Sequence, residues 1–119
     1  PSMAFLTKAL GRLTARIATP GSFEAATLAG AHTLTLASGQ FQVLDPGGAH
    51  RDVTLATVAK HDDGFFVLLA NSANAAENLV VKDAAAATIG TVNQSEAGLF
   101  YVDATGAWAL FGVFTFAAS

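Results

Sequence analysis

Gln40-Phe41-Gln42-Val43 and Arg51-Asp52-Val53-Thr54-Leu55 alternate polar with apolar side chains, as does His32-Thr33-Leu34-Thr35-Leu36 before them. A period of two sends successive side chains to opposite faces, so each run reads as a strand with one face in a core. Leu79-Val80-Val81-Lys82 keeps the pattern in part. Phe65-Phe66-Val67-Leu68-Leu69 is apolar throughout and of strand length, which predicts a central strand covered on both faces. Asp45-Pro46-Gly47-Gly48, Asp62-Asp63-Gly64, Asn71-Ser72-Ala73-Asn74 and Asn93-Gln94-Ser95 separate these runs with turn formers. Leu99-Phe100-Tyr101-Val102 and Trp108-Ala109-Leu110-Phe111 flank Asp103-Ala104-Thr105-Gly106 as a hairpin would, and Val113-Phe114-Thr115-Phe116 reads as a last strand. Roughly eight short strands without a crossover helix predict an all-β domain, an antiparallel β-sandwich or jelly-roll-like barrel. Ala84-Ala85-Ala86-Ala87 is too short for a helix and reads as a loop, and no tandem repeat is evident.

The expected core is Leu34, Leu36, Phe41, Val43, Val53, Leu55, Val67, Leu79, Val81, Ile89, Phe100, Trp108 and Leu110. The aromatic residues Phe41, Phe65, Phe100, Trp108, Phe111 and Phe114 are read as core or subunit-interface positions. A chain of 119 residues fits one domain with a real core. Its 52% hydrophobic content includes 26 alanines, so high hydropathy here means small side chains. No stretch reaches the ~18 to 20 consecutive apolar residues of a membrane span. Pro1-Ser2-Met3-Ala4-Phe5 lacks the layout of a secretory signal, and synthesis in the cytoplasm is expected. The absence of cysteine excludes disulfides, zinc-thiolate sites and thiol nucleophiles. Charged residues make up 13%, below the ~25% usual for soluble domains, which suggests a surface partly covered by a partner.

Charge is unevenly placed. Lys8, Arg12 and Arg16 give residues 1–20 a charge of +3, whereas the remainder sets nine acids against three bases. Leu6, Leu10, Leu13 and Ile17 recur at helical spacing beside those bases, so residues 1–20 form an arm, a short amphipathic helix or an extended segment. Thr19-Pro20-Gly21-Ser22 ends it, and residues 21–119 form the β domain. The arm is expected to dock on a larger assembly or a neighbouring subunit through that stripe, the alternative being that it packs on its own body. At ~25 cal/mol per Å², a few buried aliphatic side chains contribute several kcal/mol before ordering costs.

Motifs for chemistry are weak. His50-Arg51-Asp52 matches the core of a kinase catalytic loop, but the asparagine five residues beyond is Thr57 and the glycine-rich loop is missing. The simpler reading is a strand entry whose Arg51 and Asp52 are solvated or paired across a subunit boundary. His32, His50 and His61 with Asp52, Asp62 and Asp63 lack the paired spacing of metal motifs, and calcium between Asp45 and the Asp62-Asp63 loop has little more support. No nucleophile elbow or phosphate loop occurs, so no catalytic residue, metal or cofactor is expected. An acidic body, with a sequence pI near 5.4, argues against nucleic acid as a partner. Trp108 and Tyr101 could form a sugar-stacking platform, although core or interface roles weigh more.

Val43-Leu44-Asp45-Pro46-Gly47-Gly48-Ala49-His50-Arg51-Asp52-Val53-Thr54-Leu55 resembles a recurring block of small bacteriophage head decoration (capsid cement) proteins. Gly64-Phe65-Phe66-Val67-Leu68-Leu69-Ala70-Asn71, Glu77-Asn78-Leu79-Val80-Val81, Ile89 to Val92 and Asp103-Ala104-Thr105-Gly106-Ala107-Trp108 resemble the later strands and hairpin of that group. The resemblance covers about residues 33–111 and departs at the hairpin, where Ala-Thr-Gly stands for a tighter Asp-Gly turn. It implies a β-rich, commonly trimeric virion protein on the outer capsid surface. Its partners would be the major capsid protein and itself, without membrane or nucleic acid. Similar blocks occur in tail-fibre and baseplate modules, so a receptor- or carbohydrate-binding module is the alternative.

Overall fold

The computed structural model describes residues 22–116. Among them lie nine strands and one short 3-10 turn, Lys60–Asp62. The strands are β1 (Phe23–Thr27), β2 (His32–Thr33), β3 (Phe41–Asp45), β4 (Arg51–Thr54), β5 (Phe66–Asn71), β6 (Leu79–Lys82), β7 (Thr88–Val92), β8 (Glu96–Val102) and β9 (Trp108–Thr115). They form a large sheet of five strands, ordered β1-β3-β5-β8-β9, and a small sheet of four, ordered β2-β4-β6-β7. The all-β sandwich expected from the alternation is the observed architecture.

Strand direction departs from the antiparallel expectation. From β1 to β6 the chain changes sheet at every step, and each strand lies parallel to the one laid down two elements earlier. Parallel neighbours need a long return connection. Here the strand in the opposite sheet supplies it, so the chain winds as a coil around one core. Equivalent positions recur at unequal intervals, with Phe23 beside Phe41 and Phe41 beside Leu68, which is why no repeat is visible in the sequence. The coil then reverses: β7 pairs antiparallel with β6, and β8 and β9 form the expected hairpin along β5. The segment expected as a separate last strand continues β9 past a bulge at Leu99/Phe100.

The core lies between the sheets. Leu44, Val67, Leu69, Phe100, Val102 and Trp108 of the large sheet meet Val53, Leu79, Val81 and Val92 of the small one. Of the expected core, Leu34, Val53, Leu55, Val67, Leu79, Val81, Phe100 and Trp108 are buried, and Ile89 packs partly against them. Leu36, Phe41 and Leu110 are exposed and Val43 is half-buried. In β3 the facing is inverted, because Gln42 and Leu44 point inward while Phe41 and Val43 point out. Burial of Gln42 is compensated by bonds from its Nε2 to Glu24 Oε1 and to the Gly39 carbonyl at 2.7 Å.

The Asp45-Pro46-Gly47-Gly48 turn shows why its residue types are required. Asp45 Oδ1 accepts the Gly47 N–H at 2.9 Å, and Gly47 has φ +77°. A Cβ there would sit 2.2 Å from the Leu28 carbonyl oxygen, so only glycine lets this turn lie against the end of β1. The loop reading of Ala84–Ala87 holds: Asp83 Oδ1 accepts the N–H groups of Ala85 and Ala87 at 3.0 and 2.9 Å.

Candidate interaction surface

Several of the groups singled out for catalytic or metal-binding chemistry hold local structure. Asn78 donates its N–H to His50 Nδ1 at 2.8 Å, and Arg51 Nε donates to the Pro46 carbonyl at 2.8 Å. Lys82 Nζ lies 3.0 Å from Asp52 Oδ2, so Asp52 is paired within the chain, on neighbouring strands β4 and β6. The kinase-like tripeptide thus fastens one strand entry. Asp62 Oδ2 accepts the Ala59 N–H at 2.8 Å at the start of the 3-10 turn, and His61 is an exposed neighbour of Asp62 at 3.6 Å. Among the described residues no three His, Asp or Glu side chains gather as a metal ion would require. A shallow depression between β2, β4 and the Ala84 loop is lined by threonines and small aliphatic residues, without an ionisable group.

The hairpin residues divide by face. Trp108 is buried, donates its Nε1–H to the Ala56 carbonyl at 2.8 Å and meets the Phe65 ring edge-on at 6.1 Å. It is a core residue, as the weightier of the two sequence readings had it, and the alternative sugar platform with Tyr101 does not form, because Tyr101 lies on the opposite face. There it makes an edge contact with Phe111, ring centroids 6.0 Å apart. Asp103 closes the hairpin turn, accepting at Oδ1 from the Thr105 hydroxyl at 2.6 Å and from the N–H groups of Thr105 and Ala107. The Thr105 hydroxyl, aided by those backbone donors and opposed by slight desolvation, holds the Asp103 carboxyl below its ordinary value of 3.8. A lowered folded-state value adds stability above the ordinary one, and that stability disappears as pH falls through the lowered value. Asp103→Asn is therefore expected to flatten the acid limb of a melting-temperature profile below pH 3.8, while the wild type keeps losing stability there.

The outward face of the large sheet is the feature that hairpins and turns leave unexplained. Its middle rung runs across all strands as Phe23, Phe41, Leu68, Leu99 and Gly112. The rung on one side is Ala25, Val43, Ala70, Ala97 and Phe114. On the other side stand Phe66, Tyr101 and Ala109, with Phe111 at the bulge. No charged residue occurs in these three rungs, and the Tyr101 hydroxyl is their one polar side-chain group. Exposure is greatest at the two edges: Phe23 is 55% exposed on β1, Phe111 64% and Phe114 52% on β9. Phe23 and Phe41 form an edge-to-face pair at 5.2 Å. The central strand β5 is nearly covered on both faces, as its apolar run predicts, with Phe66 and Val67 each 5% exposed.

The arm residues Leu6, Lys8, Leu10, Arg12, Leu13, Arg16 and Ile17 lie outside the described residues, as does the boundary at residues 20–21. Among the described residues no helix is long and apolar enough to cross a membrane. No known protein family, curated protein or solved structure matches the chain.

Proposed function

We propose that this protein is a non-enzymatic bacteriophage virion component that binds the outside of the capsid as a homotrimer and cements contacts between capsomers. The observation that carries the reading is a β-sandwich body with an uncharged apolar sheet face that exposes Phe23, Phe41, Phe111 and Phe114 along its two edges. Such a face is an association surface, since patches of this kind on soluble proteins mark sites of contact. Acidic and histidine groups of the kind that serve catalysis elsewhere here hold turns and strand entries. In this reading the basic, apolar-striped residues 1–20 are the adhesive element toward the shell or a neighbouring subunit. Linking several arms in one oligomer turns weak single contacts into tight attachment.

Imaging virions that carry a labelled copy tests the location. Density on the outer face of the head is expected, and labelling confined to the tail would instead support a receptor- or carbohydrate-binding module. Adding the purified protein to undecorated shells is expected to raise their rupture temperature. Removing residues 1–18 is expected to leave a folded oligomer that no longer binds shells; normal decoration by the truncated protein would refute the role given to the arm.

A further inference from the structure

We infer that the outward face of the large sheet is the surface on which copies of this chain meet one another. The inference deepens the self-association within the proposed function and does not depend on the capsid.

The first argument is charge. The chain from Gly21 onward carries nine acids against three bases, so two copies repel wherever ordinary surface faces ordinary surface. A neutral surface escapes that repulsion whichever parts of it meet. The three central rungs of the outward face are neutral throughout. A partner recognised by opposite charge would find no charge in them to pair with.

The second argument is area. At ~200 Å² for a phenylalanine, the exposed parts of Phe23, Phe41, Phe111 and Phe114 come to about 400 Å². That is roughly half of the ~800 Å² each partner contributes to a stable interface. Half-buried Val43, Leu68, Leu99 and Tyr101 between them extend the patch. The aromatic residues stand at opposite edges, Phe23 and Phe41 on one side and Phe111 and Phe114 on the other. The β1 side of one copy can therefore meet the β9 side of the next, a head-to-tail contact that closes into a ring when the rotation allows.

Light scattering on the full chain at micromolar concentration tests the inference. An oligomer is expected, against 12.1 kDa for one chain. The double variant Phe111→Lys/Phe114→Lys is expected to run as a folded monomer, and Phe23→Lys at the other edge to weaken assembly. A charge at exposed Thr91, on the small sheet, should leave the oligomer intact. If the lysine variants do not fold, as judged by circular dichroism, Phe111→Ser/Phe114→Ser provides the reading. It is expected to raise the dissociation constant on the order of 100-fold. A monomeric wild type overturns the inference. So does an oligomer that survives these variants, above all one lost only when residues 1–18 are deleted, which would assign assembly to the arm. None of these results requires the shell, so a failed capsid-binding experiment and a failed interface are told apart.

Discussion

Asn71→Ala is expected to cost about 4 kcal/mol of folding stability, read from the urea midpoint at an unchanged slope. Asn71 is completely buried at the end of β5. Its Nδ2 donates to the carbonyls of Glu77 and Val92 at 2.8 and 2.9 Å, and its Oδ1 accepts the Ala73 N–H at 2.9 Å. One side chain thereby joins the large sheet to β7 of the small sheet and to the loop before β6. Truncation leaves the Val92 carbonyl and the Ala73 N–H without this partner in a buried setting, at ~1–3 kcal/mol each. Against a total of ~5–15 kcal/mol for a typical domain, that is a large share. Asn71→Leu separates bonding from packing, since it refills the volume and restores no bond. It is expected to be nearly as damaging as alanine, and a leucine variant as stable as the wild type would sink the argument.

The second large effect is at Phe100, the largest of the fully buried side chains. Phe100→Ala is expected to cost about 3–5 kcal/mol, from lost transfer energy and the cavity left behind. The ring occupies a slot that Gly98 keeps open, with Gly90 lying alongside. A Cβ on Gly98 would lie 2.7 Å from the Phe100 ring, and one on Gly90 would lie 3.4 Å from it. Gly98→Ala alone is therefore expected to destabilise by about 1–3 kcal/mol through overpacking. Combining it with Phe100→Leu should cost less than the sum of the two, because the smaller side chain frees space for the methyl group. Additive costs in a double-mutant cycle would show that the slot is not shared.

The sheet face proposed for self-association was only partly legible in the sequence. Phe41, Phe111 and Phe114 stand out as core or interface residues by size and by their place in strands, but no pattern says which. A strand apolar on both faces carries no preferred phase. In Gln40-Phe41-Gln42-Val43 the alternation favours the aromatic face as the inner one, yet Gln42 is the buried residue, held by Glu24 and Gly39. One of the bonds that hold it is local, to the Gly39 carbonyl, and the other reaches Glu24 on the neighbouring strand 18 residues away, and hydropathic alternation encodes neither. Trp108 illustrates the converse: its buried indole needs an acceptor, and Ala56, which supplies it, is 52 residues away.

By itself the sequence determined most of the strands and the turns between them, and therefore an all-β domain, because period-two hydropathy and the φ preferences of glycine and proline are local properties; β1, Phe23–Thr27, carries no such alternation and was not legible. Asp45-Pro46-Gly47-Gly48 and Asp103-Ala104-Thr105-Gly106 form turns for reasons contained within a few residues. Only the tertiary structure decided how the strands run. A strand presents the same alternation to a parallel or an antiparallel neighbour, so nothing in Phe41–Asp45 distinguishes pairing with β1 and β5 from pairing in a hairpin. From β1 to β6 each link crosses to the opposite sheet, so successive strands place their apolar side chains against one shared core. The winding left one neutral apolar face of the large sheet outside the core.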